Sequence, residues 1–275
     1  MHLGIITKTY TRPSLSETLD AVVSQGIRHV QLNLLSASLP TIPAALTAAQ
    51  CEEIRRALDG RRIIHAALSA TFNIIHPDPR VRAAAFDGFA VLARSARSLG
   101  TRVLTISTGT RDPEDMWRKH PDNSRQDTWR DMLASMSRIA AVAEQYDVTA
   151  ALEPEQANVI DSAPKARALL DTLGSNHVKI LIDAANLLNL TNLARQKFVL
   201  EEAFDQLGSD TVLAHAKEYS ADGQLGNLAL GRGVVDFRLY VSLLRSTSEE
   251  IPLIMHGFPE HDVAESIAYL TQLTR

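Results

Sequence analysis

Four short apolar runs in the C-terminal half of the chain each deliver a side chain able to hold a proton or a metal ion. "VTAALEP" brings Glu153, "VKILID" Asp183, "TVLAHA" His215 and "IPLIMH" His256. Two carboxylates and two imidazoles are mixed oxygen and nitrogen donors, suited to Mn²⁺, Fe²⁺ or Zn²⁺ and less well to Mg²⁺. Singly, each residue has a plainer reading. Asp183 fits as the cap of a following helix, and either histidine as a hydrogen-bonded core residue. Their recurrence at four successive run ends favours one shared site. His256 stands just before the chain-breaking Gly257 and Pro259, and its imidazole suits ligation or proton transfer.

Other residues are expected around the same site. Glu155 lies two positions beyond Glu153 and shares its side if the strand continues. It reads as a second catalytic carboxylate, or else as a loop carboxylate bonded to backbone. Asn158 and Asn186 are expected to bond substrate hydroxyls, although asparagine also serves turns. Lys217 and Arg232 are expected to meet an anionic or hydroxyl-rich ligand; Arg232 sits in "GRG", whose glycines allow close backbone approach. The polar stretch "RDPEDMWRKHPDN" reads as a lid carrying Trp117 and His120, with His120 either over the cavity or on the surface. His65 and Asn73 are expected to line the wall, and His76 to belong to a turn.

The elements that must position these residues follow from pattern. Eight short apolar runs recur: the four above, preceded by "LGIIT", "HVQLNLL", "RRIIHAAL" and "RVLTIS". Most are rich in Leu or β-branched residues, as strands buried on both faces are. Helical patterns lie between them. "PSLSETLDAVVSQG" has capping-box spacing from Ser14 to Glu17 and a stop at Gly26. Next, "PAALTAAQCEEIRRALDG" separates the second and third runs. In the helix starting near Pro79, the stripe Val81, Ala85, Phe89, Leu92, Ala96 and Leu99 runs to Gly100. Strict alternation predicts parallel strands joined by crossover helices. Eight such units predict one domain over residues 1–275, a closed (β/α)₈ TIM barrel, a fold of about 250 residues. An open doubly wound sheet is the competing fold; the first strand lacks the GxGxxG that would favour it.

Composition narrows the partners. The chain is 45% hydrophobic and 22% charged, with net charge −4. Nothing predicts general affinity for nucleic acid or an anionic membrane. The single cysteine, Cys51, cannot form an internal disulfide, which fits a reducing cytoplasm. No signal peptide pattern is read at the N-terminus, and no run reaches the roughly 18–20 apolar residues of a membrane span. A homo-oligomer is left open.

The stretches "ALSATFNIIHPD", "STGTRDPEDMWRKHPDN", "ALEPEQANVIDSA", "LIDAANLL", "HAKE", "GRGVVDF" and "LIMHGF" appear in an order and spacing that resemble the sugar phosphate isomerase/epimerase family, the xylose isomerase-like TIM barrels. The resemblance covers nearly the whole chain. It implies one divalent metal ion, held by Glu, Asp, His and Glu from strands five to eight. The first three fall on Glu153, Asp183 and His215; the fourth is His256 here. In the family's ketose epimerases the two metal-bound glutamates move the protons, so that mechanism does not carry over unchanged. The Asn186 position is usually a substrate-contacting histidine there, and a basic residue at the Arg232 position often binds substrate.

The expected function is a metal-dependent isomerase or epimerase, or a related lyase, acting on a small carbohydrate. Proton abstraction next to a carbonyl would pass through an enediolate. The alternatives are a non-catalytic sugar-binding barrel with a degenerate metal site, supported by His256, and an endonuclease IV-like DNA-repair enzyme. The latter needs more ligands and a basic surface for phosphates.

Overall fold

Every apolar run forms a strand. The computed structural model describes residues 1–274, with β1 (His2–Ile6), β2 (His29–Leu32), β3 (Ile64–Ser69), β4 (Val103–Ile106), β5 (Thr149–Leu152), β6 (Val178–Asp183), β7 (Thr211–Ala216) and β8 (Pro252–Met255). Neighbours pair in parallel in chain order, and β8 closes on β1. The competing open sheet is thereby excluded. Outside run α1 (Leu15–Ser24), α2 (Ala48–Asp59), α3 (Pro79–Leu99), α4 (Gln126–Tyr146), α5 (Ala163–Leu173), the single-turn α6 (Ala184–Leu187), α7 (Gln196–Leu207), α8 (Phe237–Thr247) and α9 (Val263–Thr274). Among the described residues, no helix is long and apolar enough to cross a membrane.

Local chemistry sets the helix ends. Ser14 Oγ accepts from the Glu17 amide at 3.2 Å. Thr47 and Gln50 form a reciprocal capping box, so α2 starts at Ala48, later than its apolar pattern begins. Asp78 caps α3 with Pro79 in its first turn, and Gly100 ends it at φ +91°, where a side chain is strained. The α3 stripe holds at Phe89, Leu92, Ala96 and Leu99, but Val81 is 47% exposed. The reason is length. A helix of 21 residues spans about 30 Å, whereas β4 has only four residues to cover, so the first turns of α3 overhang.

Alternation along the strands divides the core in two. Val30, Leu68, Ile106, Leu152, Ile182 and Met255 join the cluster shared with the helices. Ile6, Ala67, Ala151, Leu181, Leu213 and Ile254 form a separate buried cluster inside the barrel. Gly4 keeps that interior open: a Cβ there would lie 2.4 Å from Ile254 Cδ1. Two residues beyond an interior apolar position, the side chain again points inward. That step leads from Ala151 to Glu153, Leu181 to Asp183, Leu213 to His215 and Ile254 to His256.

Candidate metal centre

Glu153, Asp183, His215 and His256 converge at the C-terminal rim, with one donor atom from each lying within 4.8 Å of the others. The rings of His215 and His256 are 4.4 Å apart. Among the described residues this is the single group of that kind. Asp183 caps a helix and still faces the cluster. Its Oδ1 accepts from the Ala185 amide at 3.0 Å and caps α6, while Oδ2 faces His256 Nε2 at 3.2 Å.

The donors fit a cation. His215 Nε2 lies 2.7 Å from Gln31 Oε1, an acceptor, so Nε2 carries the proton. In the neutral ring Nδ1 is then a lone pair, yet it faces Glu153 Oε1 at 3.2 Å. Two acceptors at that distance call for a cation or a proton between them. Burial, then the neighbouring His215, pulls His256 down to about 4, leaving it the neutral imidazole a metal requires. Burial opposes ionisation of Glu153 and Asp183, but interactions with neighbours prevail, chiefly with the His215 ring for Glu153 and with the Lys217 ammonium for Asp183. Both carboxyls are held below the usual carboxylate range.

Further groups share this cavity of about 970 Å³. Glu155 is 5% exposed, and desolvation pushes it up to about 7, so it exchanges a proton near neutrality. Lys217 Nζ donates to Asn186 Oδ1 at 2.6 Å and lies 3.6 Å from Asp183 Oδ2. Burial disfavours the Lys217 ammonium, but Asp183, Glu155 and Glu153 hold its pKa above the ordinary value. Asn186 Nδ2 donates to Glu153 Oε1 at 2.7 Å. Outside the barrel, the Tyr240 hydroxyl on α8 reaches the carbonyls of Ile182 and His215 at 2.9 and 3.0 Å, linking β6 and β7 below the site.

The remaining expected contacts lie elsewhere. Arg232 is exposed and pairs with Glu265 at 2.6 Å. The glycines of "GRG" make room for Glu218: its Oε1 accepts from the Gly231 amide at 2.7 Å, and a Cβ on Gly233 would lie 2.1 Å from its Oε2. His65 lies near the start of β3, at the opposite end of the barrel, with Nδ1 2.9 Å from Leu99 O. Asn73 binds the backbone of Thr110, and Asn158 that of Gly109 and Met116, so both fasten the loop after β4. His120 caps its own turn by accepting from the Asp122 amide at 3.2 Å. His76 does belong to a turn, accepting from the Asp78 amide.

Sequence reasoning missed the opposite wall. Gln31 holds His215 and donates to Ser69 Oγ and Thr105 Oγ1 at 3.0 and 3.3 Å; Lys8, Thr9, Asn33 and Thr71 line the cavity as well. The signal was the same two-residue step, from Ala67 to Ser69 and from Val103 to Thr105.

A family model described as a xylose isomerase-like TIM barrel matches residues 19–273. A curated relative, a probable L-ribulose-5-phosphate 3-epimerase of Mycoplasma pneumoniae, is 21% identical over 173 residues, 62% of this chain and 51% of the relative. The chain thus spans about half the length of that relative. Among solved structures, a 3-keto-D-glucoside 4-epimerase from E. coli in its apo form superposes with TM-score 0.76 at 17% identity, covering 99% of both chains. The IOLI protein with a bound zinc atom gives TM-score 0.72 at 13% identity, covering 100% of this chain and 98% of its own. At these identities the likeness is one of fold.

Proposed function

Because the chain belongs to the xylose isomerase-like TIM barrel family, we propose that it is a divalent-metal-dependent epimerase or isomerase of a keto-sugar, working by proton transfer next to a carbonyl. One observation carries this reading. Glu153, His215 and His256 of the four-donor cluster line one cavity together with a further buried carboxylate, Glu155, and Asp183 lies directly behind them.

Glu153, Asp183, His215 and His256 would hold the ion, with a donor set mixed enough for Mn²⁺, Zn²⁺ or Fe²⁺. When bound, the ion supplies Lewis acidity toward substrate oxygens. Histidine in place of a second metal-bound glutamate leaves the donor set one negative charge smaller. The second proton-carrying group is then Glu155, whose burial keeps it near neutrality, so it can take or return a proton at a carbon beside a carbonyl. Asn186 and Lys217 brace Glu153 and Asp183. Gln31, Ser69 and Thr105 face them with neutral groups suited to hydroxyls. The mixed-sign chain, at net charge −4, and the single donor cluster among the described residues favour this reading over a DNA-repair enzyme.

The test is metal analysis after Mn²⁺ reconstitution, with ketohexose hydrogen exchange from deuterated water followed by NMR. The expected result is about one ion per chain and exchange at one carbon beside the carbonyl. Glu155→Gln should keep the ion and slow exchange by roughly 10²–10⁴-fold. A fully metallated protein that exchanges no ketose would instead support a sugar-binding barrel.

A further inference from the structure

A second cleft, of about 840 Å³, adjoins the cavity of the metal centre. The two share the side chains Trp117, Glu155 and Leu225. Barrel order explains the arrangement. β4, β5 and β6 are neighbours, so the loop after β4, bearing Trp117, and the segment after β6, bearing Leu190 and Phe198, flank the loop after β5, bearing Glu155 and Gln156. A ligand at the metal centre that extends past Glu155 enters this cleft.

Its lining is unusual for a surface. Trp117, Leu190 and Phe198 are 50%, 61% and 56% exposed. Large apolar side chains gathered in water along one strip mark a binding surface. Hydrogen-bonding groups are set among them: Gln156 lines the cleft, and the Arg195 guanidinium lies 5.7 Å from the centre of the Phe198 ring. Aromatic faces beside amide and guanidinium donors suit a ring with an apolar face and a hydroxyl edge. Both signs of charge are present, Lys119 and Arg195 against Asp161 and Glu202, which does not favour a phosphate.

We propose that the substrate is a glycoside: its reacting keto-sugar sits at the metal centre, and a second, glycosidically linked ring lies across Trp117 and Phe198. The proposal rests on the keto-sugar reading above and adds the size and class of the molecule.

The experiment uses the full chain reconstituted with Mn²⁺. D-fructose and three of its glycosides, lactulose, isomaltulose and maltulose, are titrated calorimetrically and assayed in parallel for deuterium exchange. The best disaccharide should bind about 10-fold or more tightly than D-fructose. Trp117→Ala and Phe198→Ala should each cut that ratio by roughly 5- to 10-fold. Equal affinity for D-fructose and every disaccharide overturns the proposal, as does a ratio that survives both substitutions. So does a wild-type dimer that Phe198→Ala dissociates, since a second copy would then occupy the cleft. Exchange of D-fructose without disaccharide preference sinks the glycoside and leaves the epimerase. A disaccharide preference with no exchange of any sugar does the reverse, and failure of all four to bind sinks both.

Discussion

On β5 to β8 the inward residue above the apolar layer is Glu153, Asp183, His215 or His256; on β2 to β4 it is Gln31, Ser69 or Thr105. On β3 to β8 the backbone device is the same along both arcs of the rim, an inward apolar side chain followed two residues later by an inward polar one, whereas on β2 the residue two before Gln31 is His29. The chemistry differs. One arc gathers charge and ring nitrogens within 4.8 Å, whereas the other offers neutral donors and acceptors. The arcs meet at the 2.7 Å contact from His215 to Gln31. Reactivity can therefore sit on one side of a substrate while the other side orients it.

The comparison breaks most visibly at Asp183. Asp183→Asn keeps an oxygen to cap α6 but removes the charge facing His256 and Lys217. Metal affinity should fall by more than the roughly 10–100-fold that loss of an outer partner costs. Elemental analysis should find no ion while circular dichroism stays unchanged; retained metal would move the site elsewhere. A smaller effect is expected from the neutral arc. Gln31→Leu leaves a buried His215 N–H without its acceptor, which should cost about 1–3 kcal/mol in urea unfolding. It should also weaken Mn²⁺ binding roughly 10-fold. No change in either would mean that the arcs are uncoupled. The smallest effect belongs to Arg232→Ala. Its ion pair with Glu265 is largely in water, so stability should change by less than about 0.5 kcal/mol, with sugar affinity unaltered. A marked loss of affinity would place Arg232 in the site after all.

The charged arc was legible because ionisable residues stand out at the ends of apolar runs. Ser69 and Thr105 occupy equivalent positions but blend into strands as neutral residues. Asn73 and Asn158 look like sugar ligands in isolation. Their partners, Thr110 and Gly109, are 37 and 49 residues away, so the backbone groups they satisfy appear only once the loops are folded. His65 failed for another reason: it stands near the start of its strand, and in a parallel barrel that is the far end. Arg232 was judged by its glycines, which serve the buried Glu218 instead.

The Tyr240 hydroxyl, reaching one carbonyl on β6 and one on β7, lies just below the points where Asp183 and His215 emerge. The outer helical ring thus sets the spacing of two donors before any ion arrives. A spacing set in advance predicts that an ion is captured without chain rearrangement, at a speed governed by how fast the ion sheds water. Exchange between metals in a cell would accordingly follow their own ligand-exchange rates and their abundance, with the barrel acting as a rigid mould.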